Sequence, residues 1–452
     1  MEETEEKVEK IQELIEDKKL NQLREELNDL NSVDISIILE KVYEELDKEK
    51  LLIAFRILTK EKAGEVFSHF SLEMQQKLIE HLTDTELKNV IDELYMDDMV
   101  DLLEEMPSNV VKRILKNVKK EDRVVINELL KYPEDSAGSI MTTEFVDLKE
   151  NMTVEEALNK IRKIGLDKET IYYCYVLTTK RSLVGIIDLK KLVIGDKKEK
   201  IKNLMETNVI KATTLEDKEN VAKTLSKYNL LALPVVDNED KLVGIVTVDD
   251  AIDVIQEETT EDLEKMAAIA PSEDTYFSTG IFTHAKNRIL WLLVLMLSAT
   301  VTGGIITEYE NAFAAIPLLV SFIPMIMGTG GNCGAQSSTL VIRGLATDEI
   351  AVKDVLKVIW KEVRVAIVVG LALAALNGLY IILRYQNAML ALTLGLTLML
   401  TVVLAKLIGC CLPLLAKKLK LDPALMASPL ITTIVDTCSV LIFFNVATMI
   451  ML

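Results

Sequence analysis

The C-terminal part of the chain constrains its fold more than anything else in the sequence. From Ile289 onward it is a series of apolar runs, broken by charge only at wide intervals. A helix needs about 20 mostly apolar residues to cross the hydrocarbon of a bilayer. There are 19 uncharged residues between Arg288 and Glu308, 32 between Glu310 and Arg343, and 19 between Arg364 and Arg384. A further 21 run from Tyr385 to Ala405, with apolar sequence resuming after Lys406. Pro423 to Leu452 carries a single charge, Asp436. Five membrane spans are expected.

Charge divides at the same place. Up to Arg288 there are 62 Asp and Glu against 41 Lys and Arg; beyond it, 8 against 10. An acidic soluble part is thus joined to a nearly neutral membrane part. That balance excludes a nucleic-acid binder, which needs a basic surface to meet phosphates, and it excludes an ordinary soluble enzyme. The opening MEETEEKVEK has neither the basic nor the apolar segment of a secretory signal, so the soluble part is expected in the cytoplasm. Basic residues in the loops agree. With the N-terminal part inside, loop 343–364 holds Arg343, Lys353, Lys357, Lys361 and Arg364, and the next inner loop holds Lys417, Lys418 and Lys420. The outer loops hold only Arg384. The expectation is a multi-pass protein of the inner cell membrane with its C-terminus outside. Cys174, Cys333, Cys410, Cys411 and Cys438 include no CxxC pair and read as small apolar residues.

Asp436 is the sharpest single feature. It lies near the middle of the last span, where a carboxylate costs roughly 2.5–3.5 kcal/mol on insertion scales. Thr433, Thr432 and Pro429 share its helical face, with Ser428 close by. No Lys or Arg is expected at similar depth unless Lys406 reaches it. A protonated or hydrogen-bonded carboxyl is the alternative to a cation pathway, and the pathway is the preferred reading. The second feature is the run Met327-Gly-Thr-Gly-Gly-Asn-Cys-Gly-Ala-Gln336. Its four glycines suggest irregular backbone lining a cavity; the alternative is close helix packing, with Gly330 and Gly334 four residues apart.

The soluble part carries two repeats. Apolar residues recur every 12 positions at Val42, Ala54, Val66, Leu78, Val90, Leu102 and Ile114, with companions at the next position and at Leu46, Leu58, Phe70, Leu82, Leu94, Met106 and Val118. Spacing of i, i+1, i+4 marks the buried stripe of a short helix, so a superhelical stack is expected. Thr83 and Glu86 have capping-box spacing, and Pro107 precedes a helix near Ser108. Then Leu183-Val-Gly-Ile-Ile-Asp-Leu is echoed 59 residues on by Leu242-Val-Gly-Ile-Val-Thr-Val, each copy with flanking strand and helix patterns. Neither copy pairs a nucleophile with a base, and His69, His81 and His284 are scattered, so catalysis is not expected. Acidic clusters remain: Asp97, Asp98 and Asp101; Asp249, Asp250 and Asp253; then Glu257, Glu258, Glu261 and Asp262. Like charges at i, i+4 repel. Divalent cations would relieve that repulsion, and Mg²⁺ takes carboxylates largely through retained water. A cation sensor is the reading that follows.

Gly328-Thr-Gly-Gly-Asn-Cys-Gly-Ala-Gln336-Ser, Leu421-Asp-Pro-Ala-Leu-Met-Ala-Ser-Pro429, Leu242-Val-Gly-Ile-Val-Thr-Val-Asp-Asp250 and Asp436 together resemble the MgtE-type magnesium channels. The resemblance implies a multi-domain chain. It would have a helical superhelical N domain (1–136), α/β tandem CBS domains (137–200 and 201–262), a connecting helix (263–287) and a five-helix α-helical membrane domain (288–452). It implies a homodimer with the pore between protomers, and Asp436 holding hydrated Mg²⁺ beside a backbone oxygen near Thr432. The sensing carboxylates it implies are Glu65, Asp97 and Asp101, then Asp217, Asp250 and Asp253, then Glu258, Glu261 and Asp262, with Asp422 at the pore's inner mouth. Two residues depart from the family's pattern: Asn229 replaces a sensing Asp, and Ser428 a pore-mouth Asn. CBS pairs often bind adenine nucleotides, which brings in ATP as a modulator. The implied function is a Mg²⁺ channel gated by cytosolic Mg²⁺. A proton-coupled divalent-cation transporter, with Asp436 carrying the proton, is the alternative. A membrane-bound enzyme would need a catalytic constellation at the inner face, and the sequence offers none.

Overall fold

The computed structural model describes residues 2–45, 48–272, 276–277, 279–309, 316–426 and 428–451. They form two compact units, residues 1–255 and 256–452. The first unit opens with short helices: α1 (Glu2–Glu16), α2 (Leu20–Asn28), α3 (Ser32–Glu45), α4 (Lys48–Ile57), α5 (Lys60–Ser68), α6 (Leu72–His81), α7 (Asp84–Ile91), α8 (Met96–Glu105), α9 (Ser108–Asn117) and α10 (Lys120–Leu129). From α4 to α10 the helices begin every 12 residues, the period of the sequence repeat. Val42, Ala54, Val66, Leu78, Val90, Leu102 and Ile114 are all buried in one continuous core. Leu46 lies outside the described residues. The Thr83–Glu86 capping box starts α7, with the Thr83 N–H donating to Glu86 Oε2 at 2.8 Å. Pro107 stands just ahead of α9, as expected.

Two three-stranded sheets follow, of identical topology. The first holds β1 (Val146–Lys149), β2 (Tyr173–Leu177) and β3 (Leu183–Asp188); the second holds β4 (Ala212–Thr213), β5 (Ala232–Val236) and β6 (Leu242–Thr247). In each, the first pair is parallel and the second antiparallel. Their helices are α11 (Val154–Ile164), α12 (Leu189–Ile194), α13 (Ile201–Leu204), α14 (Lys218–Tyr228) and α15 (Val248–Met266). The repeated Leu-Val-Gly has a packing cause. A Cβ on Gly185 or Gly244 would sit 2.7 Å from the sulfur of Met205 or Met141, whose segments pair with the third strand of each sheet.

The second unit holds five helices long and apolar enough to cross a membrane, as the sequence led us to expect. They are α16 (Ile281–Glu308), α17 (Ile323–Ala346, after a tight turn at Pro317–Phe322), α18 (Val355–Tyr385), α19 (Ala388–Lys418) and α20 (Ser428–Met451). One buried cluster between α17, α18, α19 and α20 is Cys333, Ala366, Val402, Ala405, Ile431 and Val435, and a larger one includes Ile326, Ile381, Leu394 and Phe443.

Three expectations need correction. Residues 263–287 are not one connecting helix: α15 ends at Met266 and, among the described residues, the next helix begins at Ile281. Loop 343–364 is shorter than the charges implied, since α18 begins at Val355 and Lys357, Lys361 and Arg364 lie on its first turns. The glycine-rich run is regular helix rather than irregular backbone, and Gly330, Gly331 and Gly334 serve packing. A Cβ on Gly334 would reach 2.8 Å from Ile431 Cγ2, and one on Gly409 would reach 2.3 Å from the Gly334 carbonyl. Small residues let transmembrane helices approach this closely.

Candidate cation sites

The pore candidate is built on α20. Its first turn uses hydroxyls to cover its own backbone: Thr432 and Thr433 both donate to the Pro429 carbonyl, at 2.9 and 2.7 Å. Thr437 donates to the Thr433 carbonyl and pairs with Thr302 of α16 at 2.7 Å. The polar stripe is therefore satisfied without Asp436. That carboxylate is half-buried beside α17, where a Cβ on Gly331 would lie 3.5 Å from its Oδ1. Among the described residues no hydrogen bond or ion pair reaches it. The side chain of Ser428 lies outside the described residues.

Lys406 does not serve Asp436. It is 5% exposed on α19 and donates to Ser337 of α17 at 3.1 Å and to Glu362 of α18 at 3.3 Å. Ser337 donates in turn to the same Glu362 oxygen at 2.5 Å. A buried ammonium is tolerable because a carboxylate and a hydroxyl meet it. Sequence reading placed Glu362 in a loop; the early start of α18 carries it into the bundle.

The soluble unit gathers carboxylates from four segments. Asp97 and Asp98 open α8, Asp249 and Asp250 open α15, and Glu144 and Glu169 flank the first sheet. Asp97 is 9% exposed, and burial, then the charges of Asp250, Asp98 and Glu169, hold its carboxyl well above the usual range. Burial pushes Asp98 up to about 6, with Asp250, Asp249 and Glu144 adding to it. Glu169 rises to about 8, by burial first and then by Asp249 and Asp250. Asp250 is raised by burial although the Thr247 hydroxyl and N–H donate to it, and Asp253 by burial and Asp249, with His69 opposing. Among the described residues no Lys or Arg pairs with the six, and Glu169 Oε2 is buried with no hydrogen-bond partner. An uncompensated negative cluster with an orphaned oxygen fits a cation. Among the described residues no three acidic, His or Cys side chains converge closely enough to ligate one ion directly. A hydrated dication does not need such convergence, because it bridges carboxylates through its own water. Glu144 and Glu169 went unseen in the sequence because each is a lone glutamate in an ordinary polar stretch.

Comparison with known proteins agrees with this architecture. Residues 323–446 match the MgtE divalent cation transporter model, 30–135 the MgtE intracellular N domain, and 137–195 and 201–257 the CBS domain. The magnesium transporter MgtE of Thermus thermophilus is 35% identical over 97% of this chain and 97% of its own. The chain belongs to the MgtE family. The Bacillus subtilis magnesium transporter MgtE is 33% identical, over 96% and 95% of the two chains. The solved cytosolic domain of the Mg²⁺ channel MgtE in complex with ATP is 36% identical, with a TM-score of 0.51, covering 55% of this chain and 99% of that one.

The remaining residues that the MgtE resemblance singled out are spread differently. Glu65, on α5, accepts from Ser32 at 2.7 Å, and its charge reaches Tyr95, the residue ahead of α8, as do those of Glu169, Glu144 and Asp97. Asp101 is exposed one turn beyond Asp97 and lines an open cleft with Asp98, Phe67 and Gln75. Asp217 caps α14 by accepting from the Asn220 N–H at 3.2 Å, and it is not among the charges that perturb Asp97 or Asp250. Asn229 ends α14 in the left-handed region (φ 52°), a conformation Asn tolerates better than most residues. Glu258, Glu261 and Asp262 lie on α15. Glu261 and Asp422 both pair with Lys265, at 2.6 and 2.8 Å. Burial opposes the charge on Lys265, but the hydrogen bonds it donates to Asp422 and Glu261 outweigh it and raise its pKa.

Proposed function

We propose that this chain conducts Mg²⁺ through a membrane pore at Asp436 and that cytosolic Mg²⁺ closes that pore by neutralising the acidic cluster of the soluble unit. The observation that carries the reading is Asp436 itself. It is an intramembrane carboxylate with its neighbouring hydroxyls turned to their own backbone and the nearest buried lysine committed to Glu362. Such a group is expensive unless it serves an ion pathway.

Two copies across a dimer axis would set −2 against the +2 of the ion, so a homodimer with α20 at its centre is part of the proposal. With the N-terminal unit in the cytoplasm the C-terminus lies outside. When Mg²⁺ is scarce, Asp97, Asp98, Asp249, Asp250, Glu144 and Glu169 repel one another and the segments that bear them loosen. When it is abundant their charge is met and the segments are held together. Glu65, Asp101, Asp217, Asp253, Glu258, Glu261, Asp262 and Asp422 are assigned to the same sensing surface on the strength of the family pattern. The similarity to an ATP-bound cytosolic domain supports ATP as a second ligand of the CBS pair.

The test is Mg²⁺ flux into proteoliposomes. Asp436→Ala and the isosteric Asp436→Asn are expected to lose flux at least tenfold while keeping the parent's oligomeric state; unchanged flux would remove the pore assignment. Flux that follows an imposed proton gradient, rather than membrane potential and the Mg²⁺ gradient, would favour the proton-coupled alternative.

A further inference from the structure

Lys265 sits in the last turn of α15 with its side chain only 19% exposed, between two carboxylates of different origin. Glu261 is one turn back on the same helix. Asp422 belongs to the segment that enters α20, and it is held from both sides. Its Oδ2 takes Lys265, while its Oδ1 accepts from the Ala424 N–H at 2.8 Å, fixing the turn Pro423–Met426. The Met426 carbonyl in turn accepts from Ser338 of α17 at 2.9 Å. The end of α15 is therefore tied, through one ammonium and one carboxylate, to the backbone that leads into the helix bearing Asp436.

We propose that Lys265 is a tethered competitor for the inner-mouth carboxylates: its ammonium occupies Glu261 and Asp422, and a divalent cation engages them only by displacing it. The proposal rests on the gating reading above and names what sets its threshold. Glu261 and Asp422 together carry two negative charges, and the ammonium cancels one. A dication would cancel both, but it cannot share the site with a third positive charge a few ångströms away. Ammonium and hydrated dication also seek the same carboxylate lone pairs. Because the amine is covalently attached, its effective concentration is fixed by its stem and does not fall when cytosolic ions do. A free dication must outcompete that constant rival, so the lysine raises the concentration at which closure begins. Chemistry at this position should therefore tune the threshold in both directions. A neutral side chain removes the competitor. A guanidinium, which grips carboxylates with two parallel hydrogen bonds, is a stronger one.

Flux through the full-length chain in proteoliposomes is read as Mg²⁺ is titrated on the side bearing the soluble unit, at constant ionic strength. Lys265→Met is expected to close at about 3- to 10-fold lower Mg²⁺ than the parent, and Lys265→Arg at higher Mg²⁺. Two shifts of the same sign, or none, would mean that the lysine is merely structural and would overturn the proposal. If the parent itself does not respond to Mg²⁺ on that side, the gating reading fails and this proposal with it. If the parent closes and Lys265→Met closes at the same concentration, only the lysine proposal fails. Should Lys265→Met not fold, the unaltered chain still decides. Acylation of the Lys265 amine by a water-soluble reagent, followed by mass spectrometry, should quicken as MgCl₂ replaces KCl. An unchanged rate sinks the idea.

Discussion

At the scale of single residues, the soluble unit is unusual in holding carboxyls whose protonation is favoured by folding. Asp98 at about 6 and Glu169 at about 8 lie above the ordinary carboxyl values, and Asp97 and Asp250 are raised as well. A raised carboxyl binds its proton more tightly in the folded chain than in the unfolded one. Its contribution to stability is therefore present below the unfolded value near 4 and is lost as pH rises through the folded value. The metal-free soluble unit should accordingly melt at progressively lower temperature as pH rises from about 5 to about 8. Added Mg²⁺, which takes only ionised carboxylates, should restore more stability at the upper end than at the lower. Glu169→Gln should flatten the upper part of the profile, since the Glu169 carboxyl is held up to about 8. Calorimetry of the full chain with and without Mg²⁺ checks this; a metal-free profile that rises with pH would contradict it. Four of the six carboxylates in this cluster were legible in the sequence. Asp97, Asp98, Asp249 and Asp250 announce themselves as runs, whereas Glu144 and Glu169 acquire meaning only when the fold carries them to the runs.

Among the elements, what could be read depended on whether the cause was local. The 12-residue period survives as seven helix starts because each short helix must bury the same stripe, and the duplicated sheets follow from a 59-residue echo. The glycine run misled for the opposite reason. Gly330, Gly331 and Gly334 suit strained backbone and close packing equally well, and only the neighbouring helices decide between them. Gly409, which does as much, sits unremarked in an apolar run. A Cβ there would press against the backbone of Gly334 at 2.3 Å, where no side chain can rotate away. Gly409→Ala should therefore push α19 from α17, cost about 1–3 kcal/mol of stability as overpacking does, and lower flux with it. Gly328, with open space where its Cβ would point, is the control, and Gly328→Ala should leave both melting temperature and flux near the parent's. Equal effects from the two substitutions would mean that glycine content, rather than this crossing, matters.

For the whole molecule, the proposed gating requires a route from the acidic soluble part to the apolar one. One helix bears on it. α15 carries Asp249 and Asp250 in its first turn and Lys265 in its last, and it is unbroken from Val248 to Met266. The sequence hinted at this with its acidic run, but placed the connecting helix later, across residues 263–287, where helix in fact gives way after Met266. If metal binding at the start of α15 reaches the Asp422 turn along that helix, then continuity of the helix is itself a functional requirement. Gln256 lies mid-helix and exposed, six residues after Asp250 and nine before Lys265. A proline there removes a backbone hydrogen bond and clashes with the preceding turn, at a cost of about 3 kcal/mol to the helix. Gln256→Pro should leave Mg²⁺ able to protect residues 1–255 from protease, because the acidic cluster is intact. It should also leave a pore that conducts, because Asp436 is untouched. Closure by Mg²⁺ should be lost. Protease protection and flux measured on the same preparation separate these outcomes, and a proline variant that still closes at the parent's Mg²⁺ concentration would show that the signal travels by another route.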